Sequence, residues 1–324
     1  MSKYTIEKPK MMDDAMTARF KPKVIIACLI SLAIYFAYNI VATVIGLVYV
    51  GSEVLRNPGF LQGSLTQMFS SLFDIILSQT FLIITFFSMV ILIGFVIIQV
   101  RAIDKRRLST IGLCKKRVVP SYLIGVAIGA GLLLLMLVPT LIAEYDNITY
   151  NGFSIIVVVF LFAFMIQSAA EEILFRGYLM TAIGNRVSTF WAVMFSSLVF
   201  ALLHLVNGGA TVLSLSQIFL LGALLGFYVV RTNNIWGACG IHFAWNFLQG
   251  LFTGIEVAGV TIDYSIITFE GVDFYPEVSG VFGNPSDLIA VAFLLAAIAV
   301  VLFVGRNRIV VEKPYPGSDN IHLS

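Results

Sequence analysis

Charge is scarce in this sequence: 12% of its 324 residues are Asp, Glu, Lys or Arg, against 59% that are hydrophobic. Soluble domains carry about a quarter of their residues charged, so an ordinary globular protein is excluded. The 20 Lys and Arg against 18 Asp and Glu also lack the basic excess that nucleic acid demands, and no nucleic-acid partner is expected. Cysteine is nearly missing. Cys28, Cys114 and Cys239 show no paired spacing, which excludes a disulfide framework or a cysteine-built zinc site and reads them as small core residues. Histidine is as rare, with only His204, His242 and His322. A secretory leader is not expected either, because the polar stretch up to Lys23 is long and mixed and the apolar segment after it exceeds a leader core.

What the chain does have is apolar runs of about twenty residues, each long enough as a helix to cross roughly 30 Å of hydrocarbon. They fall near 24–50, 75–100, 119–143, 153–183, 188–206, 212–230, 235–254 and 287–304. None shows the period-two alternation of a barrel strand. The expected fold is all-α, a polytopic membrane bundle of about eight transmembrane helices.

Lys and Arg mark one side. Lys3, Lys8, Lys10, Arg19, Lys21 and Lys23 precede the first run, and Arg101, Lys105, Arg106, Arg107, Lys115, Lys116 and Arg117 fill the second connection. Neither Lys nor Arg occurs from Val118 to Phe175 or from Thr232 to Gly305. By the positive-inside rule both termini are expected in the cytoplasm, and the 101–117 cluster is read as fixing topology rather than gripping lipid headgroups. The expected layout is a cytoplasmic segment over 1–23, three N-terminal helices over 24–145, a core over 146–254, an acidic external loop over 255–286, a last helix over 287–304 and a cytoplasmic tail over 305–324. Within that loop, which includes Asp263, Glu270, Asp273 and Glu277, the run Val260-Thr261-Ile262-Asp263-Tyr264 predicts a short strand or hairpin. Asn147-Ile148-Thr149 is a glycosylation-type sequon, of consequence only in a eukaryotic secretory host.

Against this background a few polar groups stand at membrane depth, where a charge costs at least ~2.5 kcal/mol on insertion scales and by default marks function. They are Glu171, Glu172, Arg176, His204, His242 and Asn246. A turn is predicted at Gly184-Asn185, with the next helix starting near Ser188. Glu171 and His204 then lie nearly equidistant from Val187 on opposite arms of a hairpin, which sets them at similar height. His242 and Asn246 share one helix face by their i,i+4 spacing and reach a compatible depth from the Thr232-Asn233-Asn234 turn. Glu172 and Arg176 form another i,i+4 pair and read as a structural lock, which leaves Glu171 for chemistry. Gly222-x-x-x-Gly226 and Gly237-x-x-Gly240 read as close helix packing.

Glu171-Glu172-x-x-x-Arg176, Phe200-x-x-x-His204 and His242-x-x-x-Asn246 together resemble, in order and spacing, the three motifs of the CPBP family of CAAX-type and bacteriocin-processing intramembrane proteases. The resemblance covers roughly 170–247 and implies an intramembrane endopeptidase acting on a membrane-associated or prenylated peptide or protein. It implies Glu171 as general base working with His204 on a water, and His242 with Asn246 stabilising the oxyanion. Glu172, Arg176 and Phe200 would be supporting residues. Such enzymes are often called metalloproteases, so Glu171, His204 and His242 are candidate ligands of a divalent metal, zinc in the first instance. The helical zincin pattern H-E-x-x-H is absent, and the same residues also serve a metal-free reaction. The expected setting is the plasma membrane of a bacterium, with membrane lipid and peptide as partners. A proton-coupled transporter and a non-catalytic bacteriocin-immunity protein are the alternatives. The first predicts internal pseudo-symmetry, which the sequence does not display, and the second predicts a lost motif residue, yet every motif residue is present.

Overall fold

Backbone in hydrocarbon has to satisfy its own hydrogen bonds, and the long apolar runs do so as helices. The computed structural model describes residues 4–57, 59–143, 145–207, 210–257, 259–260, 262–269, 285–304 and 309–311. A short strand β1 (Tyr4–Ile6) and helix α1 (Lys10–Ala15) lead into α2 (Val24–Arg56) and α3 (Leu65–Ile76). Next come α4 (Gln79–Ser88), α5 (Val90–Ile98), α6 (Val118–Ala143), strand β2 (Ile148–Tyr150) and α7 (Ile155–Glu172). The chain continues through α8 (Met180–Ile183), α9 (Thr189–Leu203), α10 (Val212–Thr232), α11 (Trp236–Phe247), β3 (Ile267–Phe269), α12 (Pro285–Val304) and β4 (Ile309–Val311).

This is an all-α polytopic membrane bundle. Among the described residues six helical stretches are long and apolar enough to span: Val24–Arg56, Gln79–Ile103, Val118–Val138, Ile155–Ile183, Thr189–Val206 and Val212–Thr232. The other two expected runs are helical but fall short of that measure. Leu288–Val304 is apolar and shorter, and α11 carries His242, Asn246 and two glycines and is buried almost throughout.

Glycine sets how closely α11 is held. A Cβ on Gly125 would collide with the Gly237 carbonyl, one on Gly129 with the Ile241 carbonyl, and one on Gly240 with the Tyr122 carbonyl. Helices α6 and α11 therefore meet backbone to backbone, as small residues permit in a membrane. The expectation for Gly237 and Gly240 holds, and it extends to the facing glycines of α6.

The two chain ends share a face. Strand β1 pairs antiparallel with β4, Tyr4 opposite Val311. Arg186 Nη2 donates to the Lys21 carbonyl at 2.7 Å, and the Arg19 amide donates to the Asp104 carbonyl at 2.9 Å. The N-terminal segment is thus built into the bundle: Met11, Met12 and Ala15 are fully buried, and the Met11 amide donates to Asn233 Oδ1 at 2.8 Å. Arg106, one of the cations of the 101–117 connection, is also buried rather than solvated. It lies 3.2 Å from Asp104 Oδ2 and donates from Nη1 to Thr181 Oγ1 at 3.0 Å, which ties the connection to α8.

On the opposite face β2 pairs with β3, Thr149 opposite Thr268. The strand expected at 260–264 therefore forms a few residues later, where its partner stands; among the described residues the bridge Val257–Val260 is what touches the expected run. Glu270, Asp273, Glu277 and His322 lie outside the described residues. Helix α3 was not anticipated, because Ser70, Ser71 and Asp74 interrupt its apolar pattern. It starts on a capping box between Ser64 and Gln67 and exposes Leu65, Phe69 and Phe73 along one side, as an interfacial helix does.

Candidate active site

Glu171 and Glu172 stand where α7 changes pitch. The helix widens into π turns over Ile173–Leu179 before resuming as α8, a distortion often found at functional sites. Gly177 lets these turns lie against the Ile111 carbonyl, 3.0 Å from where a Cβ would sit. All residues from Ala170 to Ile183 are buried.

Within the π turns the expected lock forms. Arg176 Nη1 donates to Glu172 Oε1 at 2.7 Å, with both side chains fully buried. The guanidinium also lies over the Phe200 ring, its Cζ 4.3 Å from the centroid, a cation–π contact strengthened by desolvation. Gly222 makes room for it: a Cβ there would sit 2.7 Å from Arg176 Nη2. The glycine pair of α10 thus serves the arginine as well as helix packing.

Glu172 does more than hold Arg176. Its Oε1 also lies 2.9 Å from His242 Nδ1, so a proton on Nδ1 is donated to the carboxylate and the other ring nitrogen is turned away. That nitrogen, Nε2, faces Glu171 Oε2 at 3.7 Å. Among the described residues Glu171 Oε2 is buried without a hydrogen-bond partner. The imidazole set against Glu171 is therefore His242.

His204 joins by another route. It terminates α9 in a single 3₁₀ turn, His204–Val206, and its Nδ1 is 2.8 Å from the Phe200 carbonyl. Its ring lies 4.7 Å from the Phe200 ring, which in turn is 6.0 Å from that of His242. Phe200 thereby touches three members of the site: Arg176, His204 and His242. A Phe four residues before His204 carries little signal by itself, and its position between them depends on the packing of three helices.

Asn246, one turn beyond His242, donates from Nδ2 to Gln167 Oε1 at 3.1 Å, and Ser168 Oγ donates to the same oxygen at 3.1 Å. Gln167 was not picked out from the sequence. Its signal was present, however: it is an amide within an apolar span, four residues before Glu171.

These residues lie inside the stretch that resembles a known family. Residues 153–248 match the family model described as type II CAAX prenyl endopeptidase Rce1-like. Residues 153–248 are Rce1-like. This agrees with the CPBP resemblance and identifies the chain as an integral, multi-pass membrane protein with an endopeptidase-type core. Neither a curated protein nor a solved structure matches the chain.

The zinc expectation rests on Glu171, His204 and His242. Among the described residues no three His, Cys, Asp or Glu side chains are close enough together to share an ion. Glu171 and His242 approach each other, and the His204 ring packs on the Phe200 ring that also faces His242. Glu171, His204 and His242 do not form the three-ligand set of a catalytic zinc in this arrangement, and no step is routed through a metal below.

Proposed function

We propose that the protein hydrolyses a peptide bond in a membrane-embedded or lipidated, CAAX-type protein, using a water activated by Glu171 together with His204. The observation that carries this reading is the buried approach of Glu171 Oε2 to His242 Nε2, backed by the bond from His242 Nδ1 to Glu172. A 3.7 Å separation is long for a direct hydrogen bond but leaves both atoms able to engage a third group between them.

In this mechanism Glu171 takes a proton from the water as its oxygen bonds to the peptide carbonyl carbon. The carbonyl oxygen becomes an oxyanion. With Nδ1 held against Glu172, His242 turns Nε2 toward the oxyanion, and Asn246 supplies a donor from its amide. The C–N bond then breaks as the proton held by Glu171 passes to the leaving amine. His204, with Nδ1 engaged by the Phe200 carbonyl, presents Nε2 to orient the water. Burial suits the task, because preorganised donors are worth more where water is excluded.

Purified protein incubated with prenylated and leader-type peptides should cleave at least one class, with the product mass fixing the bond. Glu171→Ala and His204→Ala should abolish cleavage. Wild-type turnover in Glu171→Ala would refute the mechanism.

A further inference from the structure

Away from the active site, on the face that carries both chain ends, a cavity of about 460 Å³ opens between the N-terminal segment and the ends of α10 and α12. Its walls differ in chemistry. Lys8, Lys10 and Arg231 supply three cations, and Glu7 is the one carboxylate among the described residues that line it. Phe227 from α10 and Val301 and Leu302 from α12 supply apolar surface continuous with two helices that run into the bundle. The framework around it is fixed: Asn233 caps α10 with a left-handed backbone and accepts the Met11 amide at 2.8 Å, so the basic segment is pinned across the helix ends.

We infer that this cavity binds a membrane phospholipid with an anionic headgroup. The cations lie at the ends of membrane helices, where headgroups are found, and an apolar wall below them offers a place for an acyl chain. Basic pockets between helix ends recognise such headgroups. A soluble phosphate would use the cations but would leave the apolar wall idle. The cavity is separate from the 101–117 cluster, none of whose residues lines it.

The full chain, delipidated in neutral detergent, would be titrated with phosphatidylglycerol, phosphatidylcholine or glycerol phosphate. Retained adducts are counted by native mass spectrometry, and melting temperature is followed in parallel. Wild type should retain one phosphatidylglycerol in preference to phosphatidylcholine and melt higher in its presence. Lys10→Gln, a change at an exposed residue, should weaken retention about fivefold, and Arg231→Gln similarly. Leu302→Trp should fill the apolar wall and cut retention with every charge in place. Equal retention of phosphatidylcholine, equal protection by glycerol phosphate, or unchanged retention in Lys10→Gln and Leu302→Trp would each overturn the proposal.

Discussion

Glu172 Oε1 accepts from two residues at once, Arg176 Nη1 at 2.7 Å and His242 Nδ1 at 2.9 Å. Removing this carboxylate strands a fully buried guanidinium, and Glu172→Ala is expected to cost roughly 3–5 kcal/mol of stability. Melting of the purified variant measures it. Glu171 is different: its Oε2 has no hydrogen-bond partner among the described residues, so Glu171→Gln should melt near wild type while peptide cleavage is lost. Gln167→Leu should leave the fold in place but free the Asn246 amide from its acceptor, lowering turnover while His242 stays bonded to Glu172. The pairing of Glu172 with Arg176 was legible, because i,i+4 geometry and the need of a membrane-buried arginine for a counter-ion are local properties. The bond from Glu172 to His242 was not. It joins residues 70 positions apart, and only the seating of α11 beside α7 creates it.

Helix α11 owes its position to glycines on both sides of the contact. Gly129→Val would drive a side chain into the Ile241 carbonyl, next to His242. The variant is expected to lose both stability and activity, because α6 and α11 must part and His242 moves with α11; melting and cleavage assays should fall together. Gly131→Ala on the same helix, where nothing lies within 4 Å of a new Cβ, is the control and should behave as wild type. The apolar runs announced these helices through length alone. The π turns at Ile173–Leu179 were invisible in the sequence, since a run of buried residues has the same apolar look at either pitch. Helix α3 escaped for the converse reason: its polar residues break the run, and its N-terminus is declared only by the pairing of Ser64 with Gln67.

At the scale of the molecule, chemistry and sidedness lie apart. The face without the chain ends holds Glu256, whose carboxyl is pushed above its ordinary 4.5 by burial. The folded state therefore binds this proton more readily than the unfolded one. Its stabilising contribution is present below the ordinary carboxylate range and is lost as pH rises through the raised value. Hydrogen exchange around 249–257, corrected for intrinsic rates, should accelerate as pH rises through that window, and Glu256→Gln should flatten the change. Metal dependence is also a property of the whole molecule. With no three-ligand set among the described residues, cleavage should survive chelation and dialysis, with elemental analysis confirming removal. That the basic connections and both ends share one face was legible from the scatter of Lys and Arg. The burial of Arg106 was not, because a cation count cannot distinguish a solvated arginine from one that finds Asp104.

The site joins parts of unequal stiffness. Glu171, Glu172, Arg176 and His242 sit in the packed interior, while His204 is only half-buried, on a three-residue 3₁₀ turn at the mouth of α9. Such a turn has few bonds to lose and reorders at little cost. In the mechanism proposed above, alignment of His204 is then a conformational event that a bound peptide would drive, so part of its binding energy would go to ordering this turn. On that mechanism a peptide that orders this turn would be cut, and one that binds without ordering it would occupy the site uncut.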